Sequence, residues 1–187
     1  MEVEVSAEAK DKRLNRMVAV TVVVLSVFTG VCNIKDGNIV QAMQQAKADS
    51  VDTWGEYQAT KTKLHVAETA RSEIAIIDGG RGSPQAKASL ARLDADVAKY
   101  KKEAPELAAK AKGFADQYDA LNVHDDQFDA SEAFIATAIS MAAVSALAES
   151  FWLLVASWFI GGFGMFMGLC GFLRLGFHPD VLSTILG

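Results

Sequence analysis

The chain has 187 residues, a formal net charge of -5 and hydrophobic residues at 51% of positions. That balance, with no Lys/Arg cluster, argues against a nucleic-acid partner, because phosphate backbones are held by clustered cations. Its two cysteines, Cys32 and Cys170, both lie in apolar segments, which leaves no disulfide framework and no CxxC metal or redox motif.

Charge is confined largely to the first sixteen residues and to the region from Lys35 to Glu132. A bilayer core of roughly 30 Å needs ~20 apolar residues per helix, so the run Met17 to Ile34 suffices for one crossing. The stretch from Ala133 to Leu173, whose one charge is Glu149, suffices for two. The expected fold is an all-α membrane protein: three transmembrane helices, with a long antiparallel coiled-coil helical hairpin inserted between the first and second. The segments are 1–16, a cytoplasmic N-terminal segment; 17–34, the first span; 35–130, the extramembrane hairpin with arms at about 38–78 and 84–122; 131–174, two spans with a turn near 149–150; and 175–187, a tail.

Lys12, Arg13 and Arg16 before an apolar run could signal secretion, but no small-x-small cleavage site follows, so an uncleaved first span is expected. Cys32 is preceded by Val31, which sets aside a lipobox. Lys10, Lys12, Arg13 and Arg16 flank the first span on its N-terminal side, against Lys35 beside Asp36 on the other. The excess of positive charge places the N-terminus in the cytoplasm and the hairpin on the periplasmic side. Arg174, after the third span, pulls against this orientation.

Lys35-Asp36-Gly37-Asn38 is expected to break the chain between the first span and the first arm. That arm has an irregular apolar pattern. Asp78-Gly79-Gly80-Arg81-Gly82 then forms a turn, since glycines accept backbone angles that other residues avoid. Ser83 before Pro84 has the order of an N-cap followed by the proline favoured at the first helical position. In the second arm Ala86, Leu90, Leu93, Val97, Tyr100, Ala104, Leu107, Ala111, Phe114, Tyr118 and Leu121 alternate spacings of four and three, the seam of a coiled coil.

Pairing residues whose numbers sum to about 164 sets Ile74 against Leu90, Leu64 against Tyr100 and Tyr57 against Leu107, with the small Ser50 opposite Phe114. Pro105 is expected to kink the second arm without ending it. Ala88, Ala91, Ala95 and Ala98 suit packing against a neighbouring copy, or serve simply as helix formers. A second break is expected at Asn122 to Asp126.

Gly161, Gly164, Gly168 and Gly171 recur at three, four and three in the third span, a smooth stripe that admits close helix approach. The reading favoured is packing on the second span, with a subunit interface as the alternative. Glu149 with Ser150 reads as the turn at the inner surface, with Phe151 and Trp152 as interfacial anchors. Its alternative role is an ion or proton site. His124, Asp125 and Asp129, with His178 and Asp180 of the tail, offer imidazole and carboxylate ligands for a divalent ion. Their spacing follows no ligand pattern, so no metal and no cofactor is assigned. No nucleophile elbow, phosphate loop, metalloprotease motif or dinucleotide fingerprint occurs, and no enzyme is expected.

Several separated segments carry a resemblance: the run from Lys35-Asp36-Gly37-Asn38 to Ala48-Asp49, Asp52-Thr53-Trp54 with Tyr57-Gln58-Ala59, His124-Asp125-Asp126-Gln127-Phe128-Asp129, Met167-Gly168-Leu169 with Gly171, and His178-Pro179-Asp180. From about Arg13 onward the chain resembles the bacterial membrane family known as domain of unknown function 4337. The resemblance implies a bacterial inner-membrane protein with three spans and a helical middle region, and brings no activity, cofactor or catalytic residue. The function expected is that of a non-enzymatic oligomeric scaffold or assembly factor in contact with membrane lipid. The alternatives are a small channel or transporter using Glu149, and an accessory subunit bound to a protein partner in a larger membrane complex.

Overall fold

The computed structural model describes residues 2–177, with side chains from residue 12 onward. Three helices follow one another: α1 (Glu2–Asp78), α2 (Pro84–Leu147) and α3 (Phe151–Leu173). The fold is all-helical, with no strand among the described residues. Each helix contains a stretch long and apolar enough to cross a membrane.

Neither break expected between an apolar segment and a hairpin arm is present. α1 runs unbroken through Lys35-Asp36-Gly37-Asn38, and α2 runs through Asn122 to Asp126. The polar side chains at these places bond along the helix. Asn38 Nδ2 donates to the Ile34 carbonyl, and Asn122 Nδ2 donates to Asp126. An asparagine satisfied four residues away does not cap a new helix. Gly37 costs about 1 kcal/mol in helix propensity, a penalty too small to open a helix held by buried Cys32 and Ile39 on either side. α2 also continues through Pro105, which removes the donor for one carbonyl.

The two turns are built locally. Gly79, Gly80 and Gly82 all have positive φ. The Asp78 carboxylate, at the end of α1, accepts from the amides of Gly82 and Ser83, and these bonds hold it below the usual carboxylate range. Ser83 Oγ accepts from the amide of Ala86 and so caps α2. Between α2 and α3, Glu149 takes a left-handed conformation (φ 49°) and the Ser150 amide donates to the Ser145 carbonyl.

The chain divides into two compact units, residues 1–42 with 120–187, and residues 43–119. In the second unit, Leu90, Leu93, Val97, Tyr100, Leu107, Phe114 and Tyr118 are half-buried, and Ala104 and Ala111 are buried. Facing them on α1 are Met43, Ala46, Ser50, Thr53, Tyr57, Thr60, Leu64 and Ala67, all buried except half-buried Tyr57, at alternating spacings of three and four. The irregular pattern read from the first arm is therefore a regular one built partly of small polar residues. Ser50 Oγ donates to the Ala111 carbonyl at 3.2 Å, the Lys47 ammonium lies over the Tyr118 ring, Arg71 pairs with Asp94, and Lys101 pairs with Glu68 at 2.8 Å.

In the first unit all three helices share a core. Leu14 and Val18 of α1 pack with Ala142 of α2 and Leu154 of α3, and farther along Leu25 packs with Ile135 and Ala138. Ser157 Oγ donates to the Ala138 carbonyl at 2.7 Å, and Trp158 Nε1 donates to Thr21 Oγ1 at 2.8 Å. Cys32 and Cys170 are free, buried thiols. The outer surface is apolar, with Val20, Val23, Val27, Trp152 and Phe159 exposed.

Candidate functional site

The first unit is close-packed because α3 lacks side chains where its neighbours need room. A methyl group on Gly161 would meet Leu25 and Ala138, one on Gly164 would come within 2.8 Å of Ile135, and one on Gly168 within 2.7 Å of Phe28. On Gly171 it would meet the Phe128 ring at 2.8 Å. All four glycines of the stripe face α1 or α2 of the same chain, whereas Gly162 faces open space.

Beyond the apolar contacts of α1 and α2, two aspartates come together. Asp36 of α1 and Asp125 of α2 lie close enough that each carboxyl group feels the other. Burial first, then the charges of Asp36 and Asp129, push Asp125 up to about 7. Asp36 is also raised, by burial above all and by the charges of Asp129 and Glu132, and its Oδ1 is buried without a partner. Asp129 is raised by desolvation and by Asp126. Crowding of carboxyl groups in a partly buried place disfavours charging all of them, so both aspartates are held above the usual carboxylate range.

Next to this pair, Gln127 is fully buried and its Nε2 donates to the carbonyls of Leu175 (2.8 Å) and Phe177 (2.6 Å). Its Oε1 lies 3.1 Å from His124 Nδ1. Gln127 thus fixes the chain after α3 against α2. The αL cap at Arg174, where the Leu175 amide donates to the Cys170 carbonyl, turns the backbone toward it.

Of the residues considered for a metal, Asp125 and Asp129 are brought together with Asp36. His124 is engaged by Gln127, and His178 and Asp180 lie outside the described residues. No three His, Cys, Asp or Glu side chains among the described residues converge in a way that would hold an ion. Sequence reasoning missed Asp36, which it assigned to a helix break, and Gln127. Asp36 could have been found by continuing the spacing of four and three through Cys32, Asp36 and Ile39. Gln127 left no comparable signal, because its partners are backbone carbonyls.

At the far end of the same unit a cleft of about 740 Å³ is lined by Arg13 and Met17 of α1, Glu149 of the turn, and Phe151, Trp152 and Trp158 of α3. Glu149 therefore sits outside both helices, exposed, in the wall of an amphipathic cleft.

The family described as "domain of unknown function (DUF4337)" matches residues 14–174. No curated protein and no solved structure matches the chain.

Proposed function

The chain belongs to the DUF4337 family, and from that premise we propose that it is a non-enzymatic, self-associating scaffold of the bacterial inner membrane. The first unit is its three-span anchor, with the N-terminus cytoplasmic, and the second unit is a coiled-coil hairpin that joins copies together. The anchor reading is supported by the exposed valines and aromatic residues of the first unit, which water would penalise and acyl chains accept. Contacts of Ser50 with Ala111, Lys47 with Tyr118 and Arg71 with Asp94 support an antiparallel register.

One observation carries the self-association. Ala88, Ala91, Ala95 and Ala98 recur at three, four and three on α2 and are exposed. At about 100° per residue they lie on the face opposite the seam. On α1, Val51, Val66, Ile76 and Ile77 are exposed as well. A helix pair with apolar or small residues on both faces has buried one and left the other for a neighbour.

The test is the mass of the full-length particle extracted in mild detergent, by native mass spectrometry. A defined homo-oligomer is expected, and the double substitution Ala91→Glu with Ala95→Glu is expected to reduce it to monomer. A wild-type protein monomeric at every concentration would refute the scaffold, and one copy bound to a different protein would make it an accessory subunit instead. The alternative, a channel or transporter using Glu149, predicts liposome flux that Glu149→Gln abolishes.

A further inference from the structure

Arg13 and Glu149 line the same cleft, yet neither side chain has an ion-pair or hydrogen-bond partner of its own among the described residues. They are therefore not within ion-pairing distance of each other, and space remains between two opposite charges. The walls beside them are apolar and partly fixed. The Trp158 indole is anchored by its bond to Thr21 and meets the Phe151 ring edge to face at 6.2 Å, while Met17 closes the α1 side.

We propose that this cleft holds the headgroup of a phosphoethanolamine lipid, with Arg13 taking the phosphate, Glu149 taking the ammonium, and Met17, Phe151 and Trp158 lying along the first part of the acyl chains. A guanidinium presents paired donors to phosphate oxygens. A carboxylate accepts from a primary ammonium, which has N–H groups to give, and would repel a headgroup whose net charge is negative. A free soluble zwitterion would leave the aromatic walls unused, which favours the lipid. The cleft volume is in the range of sites that enclose small ligands. Tryptophans at this level match the interfacial belt in which lipid headgroups lie.

Full-length protein in mild detergent is incubated with equal amounts of phosphatidylethanolamine and phosphatidylglycerol, and retained lipid is counted by native mass spectrometry. The wild type should retain phosphatidylethanolamine about tenfold over phosphatidylglycerol, the ratio expected for one charge-assisted hydrogen bond. Glu149→Gln should remove that preference, Glu149→Asp should keep most of it, and Arg13→Gln should lower retention of both lipids. Lys63→Gln, in the second unit, should leave the ratio unchanged. Equal retention by the wild type overturns the proposal whatever the variants do, as does a preference that survives Glu149→Gln in a protein of unchanged helicity. The ratio is read on monomer and oligomer alike, so its outcome is independent of the self-association proposed above.

Discussion

Asp125 shows how a single residue can make a membrane-adjacent structure sensitive to pH. An unfolded aspartate titrates at about 3.9, whereas folded Asp125 titrates at about 7. The folded chain therefore holds a proton that the unfolded chain releases, and stability falls as pH rises between about 4 and about 7. Because the group is only partly buried, solvent screening limits the effect to on the order of 1 kcal/mol. The unfolding midpoint of the wild type in detergent should be lower at pH 8 than at pH 5, and Asp125→Asn should flatten that slope and raise the midpoint at pH 8. An unaltered slope in the variant would assign the pH dependence to other groups. The sequence announced Asp125 and Asp129 as chemically interesting residues, whereas Asp36 was hinted at only by its place in the spacing of four and three from Cys32 to Ile39. Asp36 and Asp125 are far apart in the chain, and only packing of α1 on α2 brings them together.

At the level of elements, what the sequence reveals depends on which side chains build the contact. The α2 seam is written in Leu90, Leu93, Val97 and Leu107, and periodicity finds it at once. The facing pattern on α1 uses Ala46, Ser50, Thr53, Thr60 and Ala67, which are buried but barely apolar, so the same test sees disorder where the helix is regular. The expected breaks failed for a related reason: Gly37, Asn38 and Asn122 are weak helix formers locally, and tertiary contacts outweigh local preference. The glycine stripe was legible because small residues at fixed spacing admit close helix approach, and the second span was the partner expected; the contacts of Gly161 with Leu25 and of Gly168 with Phe28 on α1 were not. Gly164 is the most demanding position, since an added methyl would press on Ile135 side-chain and backbone atoms and on Phe134. Gly164→Ala should lower stability by about 1–3 kcal/mol through overpacking. Gly162→Ala, facing open space on the same helix, should be neutral or stabilising by up to about 1 kcal/mol. Unfolding midpoints of the two variants, measured side by side in detergent, separate packing from propensity, and equal shifts would mean that the stripe does not govern the contact.

For the whole molecule, the long helices have a consequence that short ones would not. α1 and α2 each contribute residues to both units, and each runs as one helix in the chain. The proposed topology then makes a sharp demand on accessibility. The α1–α2 turn and the α2–α3 turn must lie on opposite sides of the bilayer, because α2 crosses it once between them. Both native cysteines are buried, so the wild type should react little with a membrane-impermeant maleimide and single new cysteines can report. In spheroplasts, Arg81→Cys in the first turn should be labelled directly, and Ser150→Cys in the second only after permeabilisation. The opposite pattern would invert the orientation drawn from Lys10, Lys12, Arg13 and Arg16 and keep the spans. Direct labelling at both positions would remove the crossing of α2, and with it the three-span anchor on which the scaffold reading stands.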